Sequence, residues 1–292
     1  MTTFFHWFVV SISVASILGC LWLLFANARG VPGEVKDHSW DDDLREYNNP
    51  LPRWWLVMFV LTILFSVGYL AFYPGLGNVG GRLGWTSSGE MEGRLRQLTA
   101  QRQQQIERIA ALPIEAIAAD PGGQSMGRSL FLAHCAGCHG ADARGAIGFP
   151  NLTDGDWLYG GAPDTIVASI TGGRSGQMPH FNGSLTPEKL DALLAFLPRW
   201  SDPKLGEETR AAGLKAYAGV CAACHGAEGH GNPALGAPNL TDAVWLWGGE
   251  REQIRQTLLF GRINHMPAHD KLMSPGEIRV VAGYVHGLSR EP

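Results

Sequence analysis

The sequence predicts a mainly α chain: two N-terminal transmembrane helices, then two tandem copies of one small helical domain. Three observations carry this reading. Two uncharged apolar runs occupy the first 73 residues, the chain repeats itself from about Gly123, and each copy opens with Cys-x-x-Cys-His.

The 292 residues carry a formal net charge of -4, which offers no basic stripe for nucleic acid. With 38 Gly and 17 Pro, the chain favours loop-rich domains over long regular sheets. Of five cysteines, Cys135/Cys138 and Cys221/Cys224 form two tight pairs and Cys20 lies inside an apolar run, so a disulfide scaffold is not expected.

The first apolar run, Phe4 to Ala26, and the second, Trp54 to Tyr73, contain no Asp, Glu, Lys or Arg. Each is long enough to cross about 30 Å of hydrocarbon as a helix. Trp54, Trp55, Tyr69 and Tyr73 sit near the ends of the second, where interfacial aromatics belong. Ala26-Asn27-Ala28 resembles a signal-peptide cleavage site, but a positive n-region is missing from the first 28 residues. Arg29, Lys36, Arg45 and Arg53 lie between the runs, and only Arg82 closely follows the second. The positive-inside tendency then puts the intervening loop in the cytoplasm and both ends outside. The expected organisation is a first transmembrane helix over 1–30, a cytoplasmic loop over 31–52 and a second transmembrane helix over 53–74.

A linker over 75–122 opens on Tyr73-Pro74-Gly75-Leu76-Gly77, which ends the second span. Within it, Leu95, Leu98, Ile106, Ile109 and Leu112 form an apolar stripe, predicting an amphipathic helix from Glu92 to Leu112 that serves as a spacer, a docking element or a solvated linker.

From Gly123 onward the copies align closely. Pro150-Asn151-Leu152-Thr153-Asp154 matches Pro238-Asn239-Leu240-Thr241-Asp242; Trp157 matches Trp245; Arg174 matches Arg262; Met178-Pro179 matches Met266-Pro267. The offset is 86 residues at the cysteines and 88 afterwards, so one two-residue insertion separates the copies. This predicts domains over 123–200 and 209–292 joined by a short link over 201–208.

Cys-x-x-Cys-His is the attachment motif for c-type haem. Thiols at i and i+3 lie on one side of a helical turn and can add to two vinyl groups; the adjacent imidazole can then reach the iron. Cys135 and Cys138 are thus candidates to hold one haem with His139 proximal, and Cys221 and Cys224 a second with His225 proximal. A thioredoxin-like pair lacks its βαβ context here, and a zinc ribbon has closer pairs and does not require His after each.

Met178 and Met266, at equivalent positions, are the candidates for the sixth iron ligand; His/Met ligation raises the potential and suits electron transfer. Met126, Met273, His180, His265 and His269 are the other candidates nearby. The sequence leaves open which haem each methionine serves. Trp157, Trp245, Leu152, Leu240, Phe196 and Tyr284 read as wall or helix-packing residues, the last two in Pro-started closing helices. Arg174 and Arg262 are candidate propionate partners or solvated loop residues. The expected fold of each tandem copy is a class I-like cytochrome c domain. No catalytic residue is expected.

Asn48-Asn49-Pro50-Leu51-Pro52-Arg53-Trp54-Trp55 enters the second span, and Leu83-Gly84-Trp85-Thr86-Ser87 follows its exit. Together with the two haem motifs, these stretches resemble the dihaem subunit III (CcoP/FixP) family of cbb3-type cytochrome c oxidase over nearly the whole chain. The resemblance implies two covalent haem c groups on periplasmic domains at the bacterial inner membrane. It implies electron entry from a periplasmic cytochrome c donor or a bc1 complex. The implied partners are a monohaem cytochrome subunit, a catalytic haem–copper subunit that reduces oxygen and pumps protons, and a small single-span subunit. A free-standing, tethered c4-like dihaem carrier is the main alternative; a dihaem peroxidase is disfavoured by the two Met-Pro matches.

Overall fold

The structure is a computed structural model that describes residues 2–28, 31, 33–40 and 42–289. Arg29 and Asp41 of the interspan loop lie outside the described residues. The chain is mainly helical and divides into two compact units, residues 1–100 and 101–292.

In the first unit, α1 (Thr3–Asn27) and α2 (Arg53–Phe72) are each long and apolar enough to cross a membrane. Their surfaces are bare: Phe4, Trp7, Trp22, Phe25, Leu61, Leu64 and Phe65 are all exposed. Apolar surface of this extent has no place in water but suits lipid, where a helix satisfies its own backbone polar groups. These are the membrane-anchoring helices. At their shared end, the Asn78 N–H donates to His6 Nδ1 at 3.0 Å, so the start of α1 and the exit from α2 lie on one side. The interspan loop contains a hairpin that the sequence did not foreshadow: β1 (Val35–Trp40) pairs antiparallel with β2 (Leu44–Tyr47).

The linker helix α3 runs over Ser87–Ala110, starting earlier than Glu92. Its apolar stripe is used only at the C-terminal end. Ile106 and Ile109 are buried in the second unit's core, whereas Leu95 and Leu98 are exposed. The end of α3 is secured by Arg279, which donates to the Ala110 and Leu112 carbonyls, both at 2.8 Å. Basic side chains satisfy orphan helix-end carbonyls in this way. A short helix the sequence reading missed, α4 (Ile114–Ala119), follows; its Ile114 and Ile117 join the same core.

Each repeat then supplies the same series. In the first come α5 (Pro121–His134), α6 (Ala136–His139), α7 (Pro163–Gly172), β3 (Arg174–Met178), α8 (Pro187–Phe196) and a 3-10 turn (Leu197–Arg199). In the second come α9 (Glu207–Val220), α10 (Ala222–His225), α11 (Arg251–Phe260), β4 (Arg262–Met266) and α12 (Pro275–Leu288). Local rules place the starts. Asp120 caps α5 by accepting from the Gly123 N–H at 2.7 Å. Thr186 caps α8, and Ser274 and Glu277 form a reciprocal capping box on α12, each just before a Pro at the first helical turn.

The repeats exchange their closing parts. The helix α12 packs on α4, α5 and α7, and α8 packs on α9 and α11. One core joins Leu130, Phe131, Ile166 and Ile170 of the first repeat to Ile278, Val280, Val281 and Tyr284 of the second. The other joins Leu193, Leu194 and Phe196 of the first repeat to Ala216, Tyr217, Ile254 and Leu258 of the second. The crossing is at β3 and β4, which pair antiparallel with Arg174 opposite Met266 and Met178 opposite Arg262. One lobe is therefore the contiguous stretch 174–261, and the other combines 101–173 with 262–289. The compact lobes do not coincide with the sequence repeats.

Candidate haem-attachment sites

Each Cys-x-x-Cys-His run forms a single helical turn. The Cys138 and His139 N–H groups donate to the Cys135 carbonyl at 3.1 and 3.0 Å; the corresponding bonds to the Cys221 carbonyl from Cys224 and His225 are also 3.1 and 3.0 Å. This turn puts both sulfurs of a pair on one side, as i and i+3 residues of a helix must be. No disulfide joins these four cysteines among the described residues.

After each His, a left-handed glycine (Gly140, Gly226) turns the chain, and the following loop returns to its own histidine. His139 donates from Nδ1 to the Pro150 carbonyl at 3.0 Å, and His225 donates to the Pro238 carbonyl at 2.9 Å. That bond sets the tautomer with the lone pair on Nε2, the form an imidazole needs to ligate a metal. The repeated Pro-Asn-Leu-Thr-Asp stretch thereby acquires a role that sequence reading did not assign. Its Pro carbonyl anchors the histidine. Its Asn side chain folds the next turn by accepting from the Thr N–H, at 2.9 Å for Asn151 and 3.0 Å for Asn239.

Burial lowers the pKa of His139, with the Pro150 bond opposing and the charge of nearby His269 adding to the fall. Burial likewise lowers that of His225, against the Pro238 bond. Both effects favour the neutral, metal-binding imidazole. Burial, reinforced by the neighbouring cysteine, pushes the Cys135 and Cys221 thiols up to about 11. Cys138 and Cys224 are exposed.

The candidate methionines are half-buried, each against the core that holds the other repeat's cysteine turn. Met266 packs on the cluster with Cys135, Leu152 and Trp157; Met178 packs on that with Cys221, Leu240 and Trp245. The remaining candidates take other places. Met273 is a core residue, Met126 packs on the same core, His180 and His265 are exposed, and His269 is buried with no hydrogen-bond partner for Nδ1 among the described residues. Phe196 and Tyr284 are helix-packing residues: each seats on a glycine, Gly213 and Gly127 respectively.

Arg174 and Arg262 are half-buried and make no ion pair with a carboxylate among the described residues. Arg174 bonds Ser169 Oγ at 2.8 Å and lies 4.8 Å above the Tyr159 ring; Arg262 bonds Thr257 Oγ1 at 3.0 Å and lies 4.4 Å above the Trp247 ring. Each guanidinium is thus held through Nε and by cation–π attraction. Tyr159 and Trp247 are the partners that sequence reasoning missed.

The donor set fits haem c: per site, two thiols on one face of a turn, a tautomer-locked imidazole, aromatic and aliphatic walls, and a thioether. Among the described residues, no three His, Cys, Asp or Glu side chains gather into a cluster of the kind a structural zinc requires.

These features define a membrane-anchored protein with two cytochrome c domains. The family model for cytochrome c oxidase, cbb3-type, subunit III matches residues 124–197 and 208–285, and that for the N-terminal domain of cytochrome oxidase-cbb3, FixP, matches residues 32–80. The cbb3-type cytochrome c oxidase subunit CcoP of Rubrivivax gelatinosus is 44% identical, over 99% of this chain and 98% of its own. The corresponding CcoP of Cereibacter sphaeroides is 34% identical, over 88% and 96%. The FixP subunit of Azorhizobium caulinodans is 38% identical, over 86% and 91%. The chain belongs to the CcoP/FixP family of cbb3-type cytochrome c oxidase subunits.

Proposed function

We propose that this chain is the electron-input subunit of a cbb3-type oxidase, carrying two covalent haem c groups in class I-like domains on the periplasmic side of the bacterial inner membrane. The observation that carries the proposal is the paired histidine geometry: two Cys-x-x-Cys-His turns, each with Nδ1 committed to a proline carbonyl. Cys135, Cys138, Cys221 and Cys224 hold the porphyrins through thioethers. His139 and His225 present Nε2 as proximal ligands, and Met178 and Met266 supply the sixth ligands. Haem iron so held supplies a one-electron couple, raised in potential by the thioether. Trp157, Leu152, Trp245 and Leu240 exclude water from the faces, and Arg174 and Arg262 offer their outer guanidinium nitrogens to propionates.

Electrons enter from a periplasmic cytochrome or a bc1 complex and pass to the monohaem subunit and then to the haem–copper subunit. That last chain reduces oxygen and pumps protons. No catalytic oxygen site is assigned to this chain, and α1 and α2 anchor it beside these partners and the small single-span subunit. The side shared by His6 and Asn78 supports a topology with the interspan loop in the cytoplasm.

Redox titration of Met178→Ala and Met266→Ala tests the ligand set. Each substitution lowers one of two potentials; a titration with both potentials unchanged contradicts the assignment.

A further inference from the structure

We infer that His269 is a haem-binding residue of the first site, its Nδ1–H donating to a propionate oxygen of the haem held by Cys135, Cys138 and His139; this rests on the haem reading above.

His269 is 7% exposed, and its Nδ1 is sealed from solvent with no hydrogen-bond partner among the described residues, the Met266 sulfur included. Leaving a buried ring nitrogen without a partner is costly, and native interiors rarely keep one unless another group fills the need. The backbone holds the ring in place. The His269 N–H donates to the Ile170 carbonyl at 3.0 Å, and the His269 carbonyl accepts from the Leu272 and Met273 N–H groups at 3.0 and 2.9 Å. Ile170 and Met273 belong to the core on which Cys135 packs, so the imidazole is fixed in the lobe of the first site. It lies near enough to His139 for its charge to act on that ring.

The missing partner has a definite chemistry. Of the groups a haem c brings, the pyrrole nitrogens face the iron and the vinyl carbons are taken by cysteine sulfur. The propionate oxygens remain as strong acceptors. A carboxylate can only accept, so the pair places the proton on His269 Nδ1 and forms a charge-assisted hydrogen bond.

The duplication supplies an internal control. At the 88-residue offset, His269 corresponds to Phe181. The backbones there are equivalent: the Phe181 N–H donates to the Leu258 carbonyl at 2.8 Å, as His269 does to Ile170. Phe181 packs on the other core. The same local fold thus accepts an apolar ring at this place, and packing alone does not call for an imidazole at 269. The first haem receives a donor here and the second an aromatic ring, so two sites with the same ligand types become unlike. A donor to a propionate offsets part of its negative charge, which favours ferrous iron and raises the potential.

The test uses the full two-haem chain in detergent, with His269→Phe and His269→Asn. Phenylalanine has the ring that the other repeat uses here but no donor; asparagine places an N–H near the position of Nδ1. Haem staining on a denaturing gel first establishes that each chain carries its covalent haem. Resonance Raman spectra of the ferrous protein then read the propionate-bending bands, and a redox titration reads the two potentials. In His269→Phe, the propionate band of one haem shifts and one potential falls, while the methionine-to-iron charge-transfer band of the ferric protein keeps its full intensity. His269→Asn retains the wild-type band and potential. The shift persists in a chain that also carries Cys221→Ala and Cys224→Ala, and so only the first haem; its absence there assigns it to the second haem and overturns the inference.

Propionate bands and potentials unchanged in His269→Phe overturn it as well. So does an equal change in both variants, which marks a packing role. Loss of the charge-transfer band with unchanged propionate bands also overturns it and marks the axial thioether as the acceptor. His269→Leu replaces His269→Phe if that chain does not accumulate. All of these results leave the haem reading standing; a wild-type chain without covalent haem overturns that reading itself.

Discussion

The Nδ1 of His139 and the carbonyl oxygen of Pro150 lie 3.0 Å apart, and the second repeat reproduces the pair with His225 and Pro238 at 2.9 Å. A backbone carbonyl can only accept, so the proton sits on Nδ1 and Nε2 is left as a donor to metal. The surrounding turn closes by helical bonds, which makes the imidazole direction a property of the folded chain.

Covalent attachment should follow the cysteine pairs one for one. Cys138→Ala or His139→Ala is expected to lose the first haem and keep the second, halving the haem stain of the polypeptide on a denaturing gel. Undiminished staining contradicts the two-site assignment.

The helix crossings at Gly127 and Gly213 have no room for a methyl group. Gly127→Ala and Gly213→Ala should each destabilise the haem domains by about 1–3 kcal/mol through overpacking. Gly219, also helical, has nothing within 4 Å of its would-be Cβ. Gly219→Ala should instead be neutral or stabilise by up to ~1 kcal/mol, the usual gain in an exposed helix. Denaturant unfolding followed by circular dichroism distinguishes the three.

These glycines also explain what the sequence could and could not convey. The Pro-started helices α8 and α12 were readable because Thr186 and Ser274 cap them locally. Their partners were not. Gly127 and Gly213 are equivalent positions of the repeat, as are Phe196 and Tyr284, so either aromatic fits either notch and periodicity cannot choose. The β1–β2 hairpin was hidden for a different reason: Val35–Trp40 and Leu44–Tyr47 are almost wholly exposed, so no buried face imposes an alternating pattern. In α3, the apolar stripe was plain, but only tertiary packing shows that Ile106 and Ile109 are buried while Leu95 and Leu98 are not. The cysteines, histidines and repeated methionines stood out by spacing; the proline carbonyls and the stacked Tyr159 and Trp247 act through geometry that spacing does not encode.

Loss of the capping box on α12 should be measurable. Ser274→Ala removes the hydroxyl that accepts from the Glu277 N–H at 3.3 Å and also bonds the Glu277 carboxylate. A cost of about 1 kcal/mol is expected. Thr186→Ala on α8, where a single 3.4 Å bond is lost, should cost less in the same unfolding assay.

The thiols of the haem-free chain should differ in reactivity. With Cys135 and Cys221 pushed up to about 11 from an ordinary 9.0, their thiolate fraction near neutral pH falls about a hundredfold, and the thiolate is the nucleophile. Timed alkylation with mass mapping should label exposed Cys138 and Cys224 first. Because these buried thiols have a raised folded pKa, the stability they support is complete below pH 9. It should decline as the pH rises from 9 toward 11, where unfolded thiols ionise and folded ones do not. Equal labelling of all four, or no decline over that window, contradicts the burial.

The claim that this chain works as the input relay of an oxidase is tested most directly by a mild-detergent pull-down from native membranes through a tag on this chain. The product is read by its reduced-minus-oxidised spectrum and its oxygen uptake. The account predicts covalent haem c together with b-type haem, copper and cyanide-sensitive oxygen uptake. Two haem c groups on a lone chain, without b-type haem or oxygen uptake and under a detergent shown to keep a control oxidase intact, would contradict it and point to a tethered dihaem carrier.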